Sequence, residues 1–108
     1  MTRARALVSL PASVRRGESF EVRTLVNHPM ETGYRRDAGG ALLPRDLVRR
    51  FACHYDGELV FAAELHAAVA ANPYLAFHVR AVASGTLVFT WEGDNGFRHS
   101  ESRALNVT

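Results

Sequence analysis

The amino-acid sequence predicts an all-β fold on three observations. Apolar residues recur with a period of two rather than 3.6, turn signals fall about every ten residues, and no long helical pattern interrupts them. About seven such runs in 108 residues fit an antiparallel β-sandwich of immunoglobulin-like type, read as a single domain over residues 1–108. The Cys…Trp…Cys signature of antibody domains is absent, so the class rests on strand number and spacing, and a small barrel is the structural alternative.

Taken in order, Arg5 to Leu10 is a short first run ended by Pro11, and Gly17-Glu18 leads into Ser19 to Asn27. There Phe20, Val22, Thr24 and Val26 share one face, with Glu21, Arg23 and Asn27 on the other. Leu47 to Asp56 sets Phe51, Cys53 and Tyr55 against Arg50, His54 and Asp56. Asp56-Gly57 is a hairpin signal, because both residues tolerate positive φ, and the next strand aligns Leu59, Phe61, Ala63 and Leu65. After Asn72-Pro73, residues Leu75, Phe77, Val79 and Ala81 alternate with Ala76, His78 and Arg80. Gly85 turns the chain into Leu87, Phe89 and Trp91, and Asp94-Asn95-Gly96 signals a second hairpin before Phe97 to Val107. In that last strand Ser100, Ser102 and Ala104 fit either a small-residue core or solvent. Only Ala67 to Ala71 has helix propensity, little more than one turn.

Composition excludes several function classes. No apolar run approaches the ~20 residues of a membrane-spanning helix, and no secretory signal is expected, because Met1 to Arg5 is followed by alternation and Pro11 rather than an apolar stretch. Thirteen basic against eleven acidic residues leave +2, too small an excess to imply nucleic-acid binding. Every basic residue is arginine, which together with the absence of lysine, isoleucine and glutamine reads as base composition more than function. One cysteine forms no internal disulfide.

No catalytic constellation is legible, whether G-x-S-x-G, H-E-x-x-H or a glycine-rich phosphate loop leading into a helix. Cys53 has the parity of the core, and His54 points to the opposite face, so burial is favoured over a reactive pair. His28, His54, His66, His78 and His99 are scattered, with no pair at metal-site spacing. The expectation is therefore no metal, no cofactor and no enzyme activity. The alternative is a small iron-binding, immunoglobulin-like redox enzyme of superoxide-reductase type built around His28 and Cys53. That family has its cysteine and last histidine close together in a C-terminal loop, with further paired histidines, whereas Cys53 is mid-strand here and His28 stands alone. The segment His28 to Pro44 breaks the pattern, and long ordered loops in small domains are often functional.

Asn27-His28-Pro29-Met30-Glu31-Thr32-Gly33, then Arg36-Asp37, Pro44-Arg45 and Ala71-Asn72-Pro73-Tyr74, together resemble the SoxZ family. GESF, TLVNHPMETG, RFACHYDGELVF, ANPYLAF and SGTLVFTW follow in the family's order over essentially the whole chain, and HPMETG with ANPY is the specific part. The resemblance implies an immunoglobulin-like, non-catalytic subunit in a periplasmic heterodimer with SoxY. SoxY presents a cysteine on a mobile Gly-Gly-Cys-Gly-Gly type arm that carries sulfur during thiosulfate oxidation. The SoxZ-type subunit stabilises SoxY and helps dock it transiently to other Sox enzymes. This chain ends Arg103 to Thr108 without a glycine-flanked cysteine, and export together with a signal-bearing partner is expected. Candidate interface residues are His28, Met30, Glu31, Arg36, Asp37, Arg45, Asn72 and Tyr74. Arg36 and Arg45 would supply charge-assisted contacts, and Met30 and Tyr74 apolar ones. The opposing reading is that His28-Pro29 and Asn72-Pro73 only fix loop geometry.

Overall fold

Alternation decides which side chains leave water, and in the computed structural model, which describes residues 6–66 and 71–108, it builds two facing sheets. The strands are β1 (Ala6–Ser9), β2 (Ser13–Val14), β3 (Ser19–Val26), β4 (Val48–Tyr55), β5 (Glu58–Glu64), β6 (Tyr74–Arg80), β7 (Gly85–Gly93) and β8 (Arg98–Val107). One sheet has the order β1-β3-β6 and the other β2-β8-β7-β4-β5. Hairpins join β4 to β5 and β7 to β8, while the other connections cross between sheets. This is an immunoglobulin-like sandwich rather than a closed barrel. All pairs are antiparallel except β2 with β8, and β2 is the strand beyond the expected seven, since two residues carry no readable period.

The core faces follow the sequence pattern in four strands. Phe20, Val22, Thr24 and Val26 of β3, Phe51, Cys53 and Tyr55 of β4, Phe77 and Val79 of β6, and Leu87, Phe89 and Trp91 of β7 are all buried. Phe51 is the hub. Its ring lies 5.2 Å from Trp91, 5.7 Å from Phe77, 6.0 Å from Phe61 and 6.4 Å from Phe89, joining β4, β5 and β7 of one sheet to β6 of the other. Thr24 fits within this core because its hydroxyl donates to the Leu75 carbonyl at 3.3 Å. At the far end the Tyr55 hydroxyl donates to the Ala83 carbonyl and accepts from the Val82 and Ala83 amides, tying β4 to the β6–β7 turn.

One face assignment differs from expectation, and one that the sequence left open is decided. Asp56 (φ 49°) and Gly57 (φ 84°) form the expected left-handed turn, but the β4–β5 register shifts between Cys53 and His54. Phe61 therefore opposes Cys53 inside, while Leu59 opposes His54 and is 49% exposed, because the extra residue of a bulge reverses parity. In β8, Ser100, Ser102 and Ala104 face outward, and His99, Glu101, Arg103 and Leu105 oppose the buried residues of β7 and its Gly85. The polar trio is mutually satisfied, with His99 Nε2 2.6 Å and Arg103 Nη1 3.2 Å from the Glu101 carboxylate. The His99 hydrogen bond chiefly holds the Glu101 carboxyl below its ordinary range, against the effect of partial burial. Ala67 to Ala70, most of the segment with helix propensity, lies outside the described residues.

The outward rows of the larger sheet follow from its registers. Ala62, Ala52, Thr90 and Ser100 form one row, Leu59, His54, Val88 and Ser102 the next, and Glu64, Arg50, Glu92 and Arg98 a charged row toward the loop end.

Removing the hub should cost most of a small domain's stability. Phe51→Ala is expected to destabilise by about 3–5 kcal/mol, read as a lower urea midpoint with unchanged slope.

Candidate partner interface

The loop between β3 and β4, the β5–β6 connection and the β7–β8 turn lie at one end of the sandwich, because their flanking strands all end there. The structure brings the two sequence motifs together at this end. The His28 amide donates to Asn72 Oδ1 at 2.8 Å, and the Asn72 amide returns to the His28 carbonyl at 2.6 Å. This reciprocal clasp joins HPMETG to ANPY. Asn72 adopts φ 54°, a left-handed conformation that asparagine tolerates.

Inside the clasp, His28 Nδ1 accepts the Met30 amide at 3.0 Å, which places the ring proton on Nε2, 3.5 Å from Asp46 Oδ1. The imidazole packs edge-on against Phe97, with centroids 4.8 Å apart. Met30 has φ 55°, unusual for this side chain, and is held by burial and by its sulfur, which accepts the Val48 amide at 3.2 Å. Glu31 and Asp46 then exchange both backbone hydrogen bonds, at 2.8 and 2.7 Å, closing the base of the loop.

Residues 35–43 fold into a small hairpin, with the Leu43 amide on the Arg35 carbonyl and the Asp37 amide on the Ala41 carbonyl. Asp37 Oδ1 accepts the Gly39 and Ala41 amides, and Arg36 Nη1 donates to the Gly40 carbonyl at 2.7 Å. The Glu31 carboxylate pairs with Arg35, and that hydrogen bond holds its carboxyl below the ordinary range. Sequence reasoning treated Asp94 only as a turn residue, yet it anchors the loop's return. Its carboxylate accepts the Leu47 amide at 3.1 Å and pairs with Arg45 at 3.1 Å and Arg49 at 3.4 Å. Partial burial opposes ionisation, and the Leu47 amide with the two arginines outweighs it, so the carboxyl is held below its ordinary range. The approach requires glycine at position 93, where a Cβ would stand 2.3 Å from the Leu47 carbonyl oxygen.

The eight candidates therefore share one end of the molecule but not one role. His28 and Met30 turn inward, where the ring and the thioether accept backbone amides inside the loop. Asn72 and Asp37 brace turns, while Glu31, Arg36 and Arg45 engage neighbours within the chain. Tyr74 is 58% exposed, opposite Leu25, which in turn opposes the exposed Leu7.

Cys53 is completely buried at the centre of β4, and burial pushes its thiol up to about 12. Among the described residues, no group of three or more histidine, cysteine, aspartate or glutamate side chains is placed to hold a metal ion.

A family model described as "Sulphur oxidation protein SoxZ" matches residues 8–104. The chain belongs to the SoxZ family. Comparison with curated protein sequences returns no significant match. Among solved structures, superoxide reductase (neelaredoxin) from Ignicoccus hospitalis is 16% identical with a TM-score of 0.72, over 97% of this chain and 81% of that one. A putative superoxide reductase from Thermotoga maritima is 17% identical with a TM-score of 0.73, over 95% and 85%. The sulfur carrier protein SoxY from Chlorobium limicola f thiosulfatophilum is 12% identical with a TM-score of 0.67, over 98% and 81%. At such identities these likenesses establish a common fold. Membership of the SoxZ family makes this chain a sulfur-oxidation protein.

The Asp94 anchor has a signed pH dependence. A carboxyl lowered by folding contributes stability above its unfolded pKa, and that contribution is lost as pH falls through the folded value. Asp94→Asn is expected to lower the melting temperature at neutral pH and to flatten the acid limb of its pH profile, measured by circular dichroism.

Proposed function

We propose that this chain is the non-thiol subunit of a sulfur-carrier heterodimer, pairing with a SoxY-like subunit that bears the carrier cysteine. The observation carrying this reading is the state of its own thiol. A member of a sulfur-oxidation family that bound sulfur covalently itself would need an accessible thiolate, yet its single cysteine is sealed under both sheets with its ionisation suppressed. The substrate-bearing sulfur must then be supplied by another chain. This subunit contributes a rigid sandwich that stabilises SoxY and, through the arginine-bearing loop end, a dock for the enzymes acting on the carried sulfur. It has no catalytic role of its own, and it works in the periplasm after export with its signal-bearing partner.

The test is co-expression with a SoxY-family subunit and intact-mass analysis of the purified complex. One-to-one recovery with sulfur adducts on the partner alone is the expected result. A chain that stays alone and purifies with stoichiometric iron would overturn it in favour of a superoxide-reductase-type enzyme.

Native Cys53 is expected to resist thiol reagents and to react fully on unfolding. Cys53→Ala should keep carrier turnover while losing about 1–2 kcal/mol of stability to the cavity. Because the folded thiol ionises at about 12, against about 8.5 unfolded, wild-type stability contributed by the protonated thiol falls as pH rises through that window, and Cys53→Ala lacks this component.

A further inference from the structure

The outward face of β5, β4, β7 and β8 differs from an ordinary solvated sheet face. Two adjacent rows across its middle carry no acidic residue and no arginine: Ala62, Ala52, Thr90 and Ser100 are small, with Ala52 and Thr90 only 7% and 9% exposed, and in the next row His54 lies between Leu59 and Val88, with Ser102 beyond. Leu59 is brought to this face by the bulge that removes it from the core. Leu59 and Val88 are 49% and 36% exposed. The charged row lies to one side and alternates in sign across the strands, so it carries no net charge. The outward face of β1-β3-β6 is different. It carries Glu21, Arg23, His78 and Arg80 over most of its length, with an Arg23–Glu21 ion pair at 2.6 Å, and is apolar only in the Leu7, Leu25 and Tyr74 row.

Size also favours the larger face. Four strands about 4.8 Å apart and three outward rows about 6.8 Å apart give a flat footprint of roughly 400 Å². One side of a standard stable interface needs about 800 Å², so this face supplies about half of one, and the three-stranded face less. A flat surface of short side chains suits another flat sheet, whose longer side chains can fill the space above the small row at the usual spacing of about 10 Å.

We infer that this face is the seat of the SoxY-like partner, bound sheet against sheet through a partner face bearing large apolar side chains. The inference rests on the heterodimer reading above and adds which surface makes it. Burying these rows withdraws an apolar patch and the exposed β5 flank from water.

The test uses full-length chain with a SoxY-family subunit, measuring heterodimer affinity by calorimetry for wild type, Val88→Arg and Ala76→Arg, the last on the outward face of the smaller sheet. Val88→Arg is expected to weaken the complex at least tenfold and Ala76→Arg less than twofold, with thermal unfolding showing that both fold. Ser102→Arg, in the same row, replaces Val88→Arg if that variant does not fold. Unchanged affinity for Val88→Arg, or equal or greater loss with Ala76→Arg, overturns the face while leaving the heterodimer intact. Failure of wild type to bind any SoxY-family subunit overturns the heterodimer reading. Self-association of wild type that Val88→Arg abolishes, without heterodimer formation, makes a second copy the occupant and overturns the inference.

Discussion

Everything in this molecule depends on the aromatic contact that holds two sheets face to face. Phe51 reaches Phe61, Phe89 and Trp91 within its own sheet and Phe77 across the gap, so one ring fixes both the spacing and the lateral position of the sheets. Phe61 and Phe77 stack at 4.2 Å and extend the same contact to β5 and β6, the outermost strands on that side. A single sandwich of this size has little apolar surface to spare, and side chains with large buried area supply disproportionate stability. Sheet position in turn sets where each loop begins, and so which loops can meet.

The loop end shows how a polar segment is ordered without a core of its own. The His28–Asn72 clasp, the inward imidazole and the Met30 thioether satisfy backbone groups that the turn would otherwise leave unpaired near the core. Met30 in a left-handed conformation stores strain that its burial and the Val48 amide offset. Asp94 does for the return of the loop what the clasp does for its departure, at the opposite side of the same opening. The family's most specific residues are therefore largely architectural. They shape a surface from beneath, and arginines, Tyr34 and Leu42 stand on it.

Burial of the thiol and openness of a sheet face belong to one design. The strand alternation that hides Cys53 between the two sheets turns Ala52 and His54, its neighbours in sequence, to the opposite face of β4. The same strand thus buries the chain's thiol on one side and contributes to the outward face of the larger sheet on the other.

By itself the sequence determined fold class, the buried faces of β3, β4, β6 and β7, both hairpin turns, burial of Cys53 and the family. Each is carried by a local signal, whether a period of two, a positive-φ pair or a contiguous motif. Tertiary structure decided what depends on register and on contacts between distant segments. A bulge in β5 turned Leu59 outward, because parity reverses at one inserted residue and no residue type announces it. Pairing with β7 set the inward face of β8, where His99, Glu101 and Arg103 are tolerated only because they satisfy one another. For His28 and Asn72 a role in loop geometry was legible as an alternative, but the contacts of His28, Met30 and Asn72 were not, since the partners that draw them inward or tie them down, Asp46, Val48 and one another, are brought near only when the sheets close.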